Sequence, residues 1–121
     1  MATILAVDDS ASIRQAVMIA LKSAGHAVCE AVHGVDGLKK AAGAAFDLII
    51  TDLNMPEMDG MTMIRELRKK PNYAGVPILF LTTESDANLK NQAKAAGATG
   101  WITKPFAADQ LAKIVAKVLA K

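Results

Sequence analysis

The chain has 121 residues, 52% of them hydrophobic, and a formal net charge of +2. That length holds one domain with a true core, the composition excludes a disordered chain, and no apolar stretch nears the ~18 residues a membrane span needs. The mild charge and 4% aromatic content argue against nucleic-acid binding, which calls for clustered cations interleaved with stacking rings.

Met1-Ala2-Thr3-Ile4-Leu5 runs directly into a first strand, Thr3 to Val7, without the basic-then-apolar layout of a signal peptide, so a soluble cytoplasmic protein is expected. Asp8-Asp9-Ser10 ends the strand, and Ser10 is placed to cap the helix that follows. In that helix Ile13, Ala16, Val17, Ala20, Leu21 and Ala24 recur at helical spacing and predict an inward face, and Gly25 supplies the stop. Ala27 to Val32 reads as a second strand. Its Cys29 is the chain's one cysteine, expected to be buried; with His26 and His33 the only histidines, neither an internal disulfide nor a Cys/His metal site is spelled out.

His33-Gly34 turns the chain into a second helix with Val35, Leu38, Ala41, Ala42 and Ala45 expected inward and Gly37 and Gly43 expected to weaken it. Phe46 to Asp52 is an apolar run stopped by an acid and then by Asn54 and Pro56, the pattern of a fully buried strand that delivers Asp52 to the sheet edge. A loop through Pro56 to Gly60 leads into a third helix, with Met63, Ile64 and Leu67 inward and Arg65, Glu66, Arg68 and Lys69 outward, ended by Pro71. A fourth strand spans Val76 to Thr82. The helix from Asp86 to Ala96 offers little beyond Leu89, Ala93 and Ala96 to bury. A fifth strand, Ala98 to Thr103, and a turn at Lys104-Pro105-Phe106 precede a last helix facing Leu111, Ile114, Val115, Val118 and Leu119 inward.

Strand and helix alternate five times with short connections, which predicts an α/β doubly wound parallel sheet with right-handed crossovers. Ligand chemistry in such a sheet gathers beyond the carboxyl ends of the strands. Asp8, Asp9, Asp52, Thr82 and Lys104 all fall there. Neighbouring carboxylates repel one another unless a cation lies among them, and Mg2+ suits one or two carboxylates plus water and phosphate oxygens. A carboxylate beside such an ion can serve as a phosphoryl nucleophile, with the Thr82 hydroxyl and the Lys104 ammonium facing the phosphoryl oxygens. A purely structural reading stays open, in which Asp8 and Asp9 cap a helix, Asp52 ends a strand and Lys104 neutralises the group.

Four blocks carry a resemblance: Val7-Asp8-Asp9-Ser10, Thr51-Asp52-Leu53-Asn54-Met55-Pro56-Glu57-Met58-Asp59-Gly60, Leu81-Thr82-Thr83-Glu84, and Gly97 through Phe106. Together they resemble the receiver domain of bacterial two-component response regulators, and most of all the single-domain chemotaxis regulators. The resemblance covers essentially the whole chain, 1–121, and leaves no output domain. It implies the flavodoxin-like (βα)5 fold with strand order 2-1-3-4-5. It also implies that Asp52 takes a phosphoryl group from a histidine kinase, that Asp9, Asp52 and the Asn54 backbone carbonyl hold Mg2+ with Asp8 helping through water, and that Thr82 and Lys104 bind phosphoryl oxygens. Asn54 can equally be a turn former. Lys104-Pro105 resembles the family's cis peptide.

By the same resemblance Trp101 and Thr83 belong to the output step, through the face of the fourth helix, fifth strand and fifth helix, and Asn54 and Glu84 modulate dephosphorylation. Two departures stand out: the position of Trp101 more often holds Tyr, Phe or His, and chemotaxis regulators commonly carry Ala where Thr83 stands. Trp101 also reads as a half-exposed packing residue. Lys113, Lys117 and Lys121, at four-residue spacing, read either as a solvated stripe or as a docking site for an acidic segment. The implied partners are a histidine kinase and either a flagellar motor switch protein or a histidine phosphotransfer protein, together with a phosphatase; a monomer is expected. A relay intermediate is the alternative within this class. A flavodoxin-like redox protein is disfavoured because the anionic Asp8-Asp9-Ser10 turn would repel a flavin phosphate, and an aspartyl phosphatase because Asn54 stands where a second acid is needed.

Overall fold

A computed structural model of the chain describes residues 2–52, 60–82, 87–104 and 106–120. Five strands, β1 (Thr3–Val7), β2 (Ala27–Ala31), β3 (Leu48–Asp52), β4 (Ile78–Thr82) and β5 (Gly100–Thr103), alternate with five helices, α1 (Ala11–Ser23), α2 (Gly34–Gly43), α3 (Gly60–Arg68), α4 (Ala87–Ala96) and α5 (Ala108–Leu119). A 3-10 turn at Pro71–Tyr73 follows α3. All strand pairs are parallel, in the order β2-β1-β3-β4-β5. The sheet therefore reverses its winding between β1 and β3, and Val7 pairs with Thr51 across that seam. Asp8 and Asp52, one step further on, emerge side by side.

The strands read as unbroken apolar runs because both faces are covered. Leu5, Val7, Ile49 and Phe80 pack with Met63, Ile64 and Leu67 of α3 and Ala93 of α4. On the other face Ile4, Ala6, Ile50 and Leu81 pack with Val17 and Leu21 of α1 and Leu111 and Val115 of α5. Ser10 caps α1 as expected, its side chain accepting the Ile13 N–H. Gly37 lets α2 seat closely on the sheet: a Cβ there would lie 2.9 Å from Met63 Sδ and 3.2 Å from a Val7 methyl, so any larger residue would require the Met63 side chain to shift.

Several expectations are corrected. Cys29 is exposed, because β2 is an edge strand flanked only by β1 and the side chain stands at the sheet margin. Ala16, Ala24, Ala42 and Ala45 are exposed; methyl groups satisfy an apolar periodicity without specifying a buried face. Arg68 turns inward instead of outward. Its guanidinium donates to the carbonyls of Tyr73 (2.6 Å), Val76 (2.7 Å) and Gly97 (2.9 Å), tying α3 to the loops that enter β4 and β5. Tyr73, fully buried, places its hydroxyl 2.7 Å from the carbonyls of both Ala41 and Ala44, supplying a donor to the otherwise unmet end of α2. The expectations for Asn54, Thr83, Glu84, Lys121, the loop from Pro56 to Asp59, the side chain of Leu89 and the Lys104-Pro105 peptide lie outside the described residues.

Candidate functional site

Parallel pairing carries the ends of β1 and β3 to one rim of the sheet, at the point where strand order reverses. Asp8 still belongs to the ladder, its N–H donating to the Ala31 carbonyl at 3.1 Å. Its side chain is turned into the rim and is 3% exposed. The Ser10 N–H donates to Asp8 Oδ1 at 2.9 Å, which closes the tight turn into α1. Asp52 is buried at the end of β3, and Thr51 Oγ1 donates to the Asp52 carbonyl at 2.9 Å. Asp9, next along the turn, is exposed.

Lys104 arrives from the far side. Its N–H donates to the Thr82 carbonyl at 2.8 Å, extending the β4–β5 ladder one step beyond the Thr82–Thr103 pair. Thus placed, its ammonium lies 3.2 Å from Asp8 Oδ2 and 3.4 Å from Asp52 Oδ1. Thr82 is buried at the end of β4, one rung past Leu81, the partner of Asp52. Asp8, Asp9 and Asp52 each offer an oxygen within 4.8 Å of the others. Burial pushes the Asp8 carboxyl above its usual 3.8, the Ser10 N–H pulls it back, and the charges of Asp52 and Lys104 add opposing smaller effects.

The Lys104 ammonium meets two of the three clustered carboxylates, Asp8 and Asp52, so negative charge is left over at the rim. Their oxygens form a hard donor set with one member open to solvent, which fits an Mg2+ ion that keeps part of its water and offers nothing to a metal that prefers sulfur or imidazole. The structure thus brings together Asp8, Asp9, Asp52, Thr82 and Lys104.

Trp101 stands apart from this cluster. It pairs with Phe80 across β4 and β5, the two rings 6.3 Å apart, and is 38% exposed. Lys90 of α4 sets its ammonium 4.4 Å from the centre of the indole. Lys113 and Lys117 are exposed on α5. Three residues near these groups escaped the sequence reading: Arg14, Glu30 and Lys90. Glu30, a charge set in an otherwise apolar strand, and Arg14, a cation one turn beyond two acids, were the available signals.

The response regulator receiver domain model matches residues 4–116. The chain is 36% identical over 118 residues to chemotaxis protein CheY1 of Helicobacter pylori, covering 96% of this chain and 95% of that protein. It is also 35% identical to the sensor kinase CckA of Brucella abortus and 36% identical to the transcriptional regulator RpaA of Synechocystis, but it spans only 13% and 50% of their lengths. Among solved structures, CheY4 of Vibrio cholerae matches with a TM-score of 0.94 at 47% identity, 98% of each chain being covered. The receiver domain of sensor histidine kinase PA1611 from Pseudomonas aeruginosa, described with a magnesium ion coordinated in its active site cleft, matches at 0.91 and 27% identity over 99% of this chain and 98% of that one.

Proposed function

The chain belongs to the response regulator receiver domain family, a family of signalling switches, and on that premise we propose that Asp52 is its phosphoryl acceptor. The observation that carries this reading is the meeting of Asp8, Asp9, Asp52 and Lys104 at the winding reversal of the sheet. An Asp52 carboxylate oxygen forms the new O–P bond as the N–P bond of a kinase phosphohistidine breaks, and the departing imidazole nitrogen keeps the electron pair and takes up a proton. Asp9, Asp52 and the Asn54 carbonyl would hold Mg2+, with Asp8 helping through water, and the bound ion would supply positive charge against the phosphoryl oxygens. Lys104 needs only to exchange a carboxylate partner for a phosphoryl oxygen, and the Thr82 hydroxyl donates to another. Hydrolysis of the acyl phosphate by water returns the switch to rest, with Asn54 and Glu84 governing access.

The added charge at Asp52 draws Thr82 towards it, and the change passes along β4 and β5 to Trp101. Lys90 and Trp101, both at the α4–β5 edge, are where that change meets a partner. Residues 1–121 act as one receiver unit. The likeness to CheY1 and CheY4 favours chemotaxis, with a flagellar motor switch protein as target and exposed Lys113 and Lys117 meeting an acidic segment. The likeness to part of a sensor kinase favours a relay, in which a histidine phosphotransfer protein takes the phosphoryl group.

The test is incubation with Mg2+ and a small phosphodonor, followed by intact mass and peptide mapping. We expect one phosphoryl adduct, on the peptide containing Asp52, and none in Asp52→Asn. An adduct that survives in Asp52→Asn overturns the assignment.

A further inference from the structure

We propose that Arg14 is a positioning residue for the acidic pocket. Through the Asp8 carbonyl it fixes the direction in which Asp9 leaves the backbone, and so sets how tightly a divalent cation is held; this rests on the pocket assignment above.

Arg14, on the first turn of α1, points back over the β1–α1 turn with its side chain 13% exposed. Nη1 donates to the Asp8 carbonyl at 2.6 Å while Nε donates to Glu30 Oε1 at 3.2 Å. Two donors of one rigid planar group are thus committed to two different elements, an arrangement a lysine cannot reproduce. Glu30 is a firm anchor. It pairs with Ala6 in the β1–β2 ladder, and its own carbonyl accepts the Lys40 ammonium of α2.

A carbonyl held in direction fixes more than itself. The peptide unit is planar, so orienting the Asp8 C=O also orients the Asp9 N–H and the Asp9 Cα. The Asp8 carboxylate is meanwhile pinned by the Ser10 N–H on one oxygen and by Lys104 on the other. Asp9, the exposed member of the three acids, depends on the backbone for its placement, and Arg14 supplies that constraint from outside the pocket.

Two physical roles for Arg14 predict opposite signs. As a mere nearby cation it would repel a divalent ion, and removing it would tighten binding. As a positioning residue it aids binding, and partners of this kind typically cost about tenfold or more in metal affinity when removed. The experiment is calorimetric titration of the full chain with Mg2+, in wild type, Arg14→Gln, Arg14→Lys and Glu30→Gln, with urea unfolding in EDTA and the Asp9 amide resonance recorded alongside. We expect about tenfold weaker Mg2+ binding in Arg14→Gln, incomplete rescue by Arg14→Lys although the charge is kept, and a displaced Asp9 amide in both. Glu30→Gln, which leaves Arg14 in place and frees only its anchor, is expected to weaken binding in the same direction and keeps the proposal open to refutation if Arg14→Gln does not fold. A folded Arg14→Gln that binds Mg2+ as well as or better than wild type overturns this proposal alone. A wild type that takes up no Mg2+ overturns the pocket assignment and this proposal together.

Discussion

β3 and β5 lie two places apart in one sheet and are built in opposite ways. Every residue of β3 is buried, whereas in β5 only Ile102 is, with Trp101 and Thr103 exposed and Gly100 between. The difference follows from position. β3 is flanked by two strands and covered on both faces, and it ends in Asp52; β5 is an edge strand, and it carries Trp101. On the proposed function, the acceptor carboxylate sits where neighbours fix every side chain, and the responding surface sits where a side chain can move without repacking a core.

The contrast is broken most directly by truncation. Ile50→Ala in β3 is expected to cost about 2–5 kcal/mol, the range for emptying a packed aliphatic site. Trp101→Ala is expected to cost about 1 kcal/mol, as for a side chain whose large area is half in solvent. Urea unfolding measures both, and equal losses would mean that β5 is as firmly held as β3.

A second effect belongs to the buried end alone. The folded chain holds the Asp8 carboxyl above its ordinary value, so between the unfolded and folded pKa the native state binds more protons than the unfolded one. Its contribution is therefore fully present below the unfolded pKa and is lost as pH rises through the folded one. Without divalent ions, the unfolding free energy of wild type should fall relative to Asp8→Asn as pH rises from the acid side of 3.8 towards neutrality. Parallel profiles for the two proteins would show that the pocket does not strain Asp8.

The smallest effect concerns the exposed edge. Lys90→Met removes the ammonium from the indole face and is expected to cost about 0.5–1 kcal/mol, with a shift in tryptophan emission. The emission change on adding Mg2+ with a phosphoryl mimic should then grow, because Trp101 has lost what holds it outside. Unchanged emission in the resting variant would show that Lys90 does not hold the ring.

Most of the fold was legible because buried parallel strands announce themselves as short apolar runs, and their polar ends mark one rim. Thr3–Val7 was read to the residue and β2 from its first residue, Ala27, whereas β3, β4 and β5 were each read two residues early; Pro77 and Thr99 continue the extended chain before the ladder begins. The winding order came from resemblance, not from periodicity. The acids of the pocket were legible because charge at the end of an apolar run is conspicuous. Arg14, Arg68 and Tyr73 were not, since each acts on backbone carbonyls, and a carbonyl leaves no mark in a sequence. Alanines misled for the opposite reason: Ala16 and Ala42 match a helical stripe in hydropathy yet bury too little area to hold it inward.

The exposed Cys29 offers a practical consequence. β2 and β5 are opposite margins of the same sheet, so the thiol of Cys29 and the indole of Trp101 stand four strand spacings apart, about 19 Å. That span lies within reach of energy transfer from tryptophan to a small acceptor dye. The chain thus carries its own molecular ruler, a donor on the margin proposed to respond and an attachment point on the opposite margin, and one labelling step would let any movement of the indole be timed as it happens.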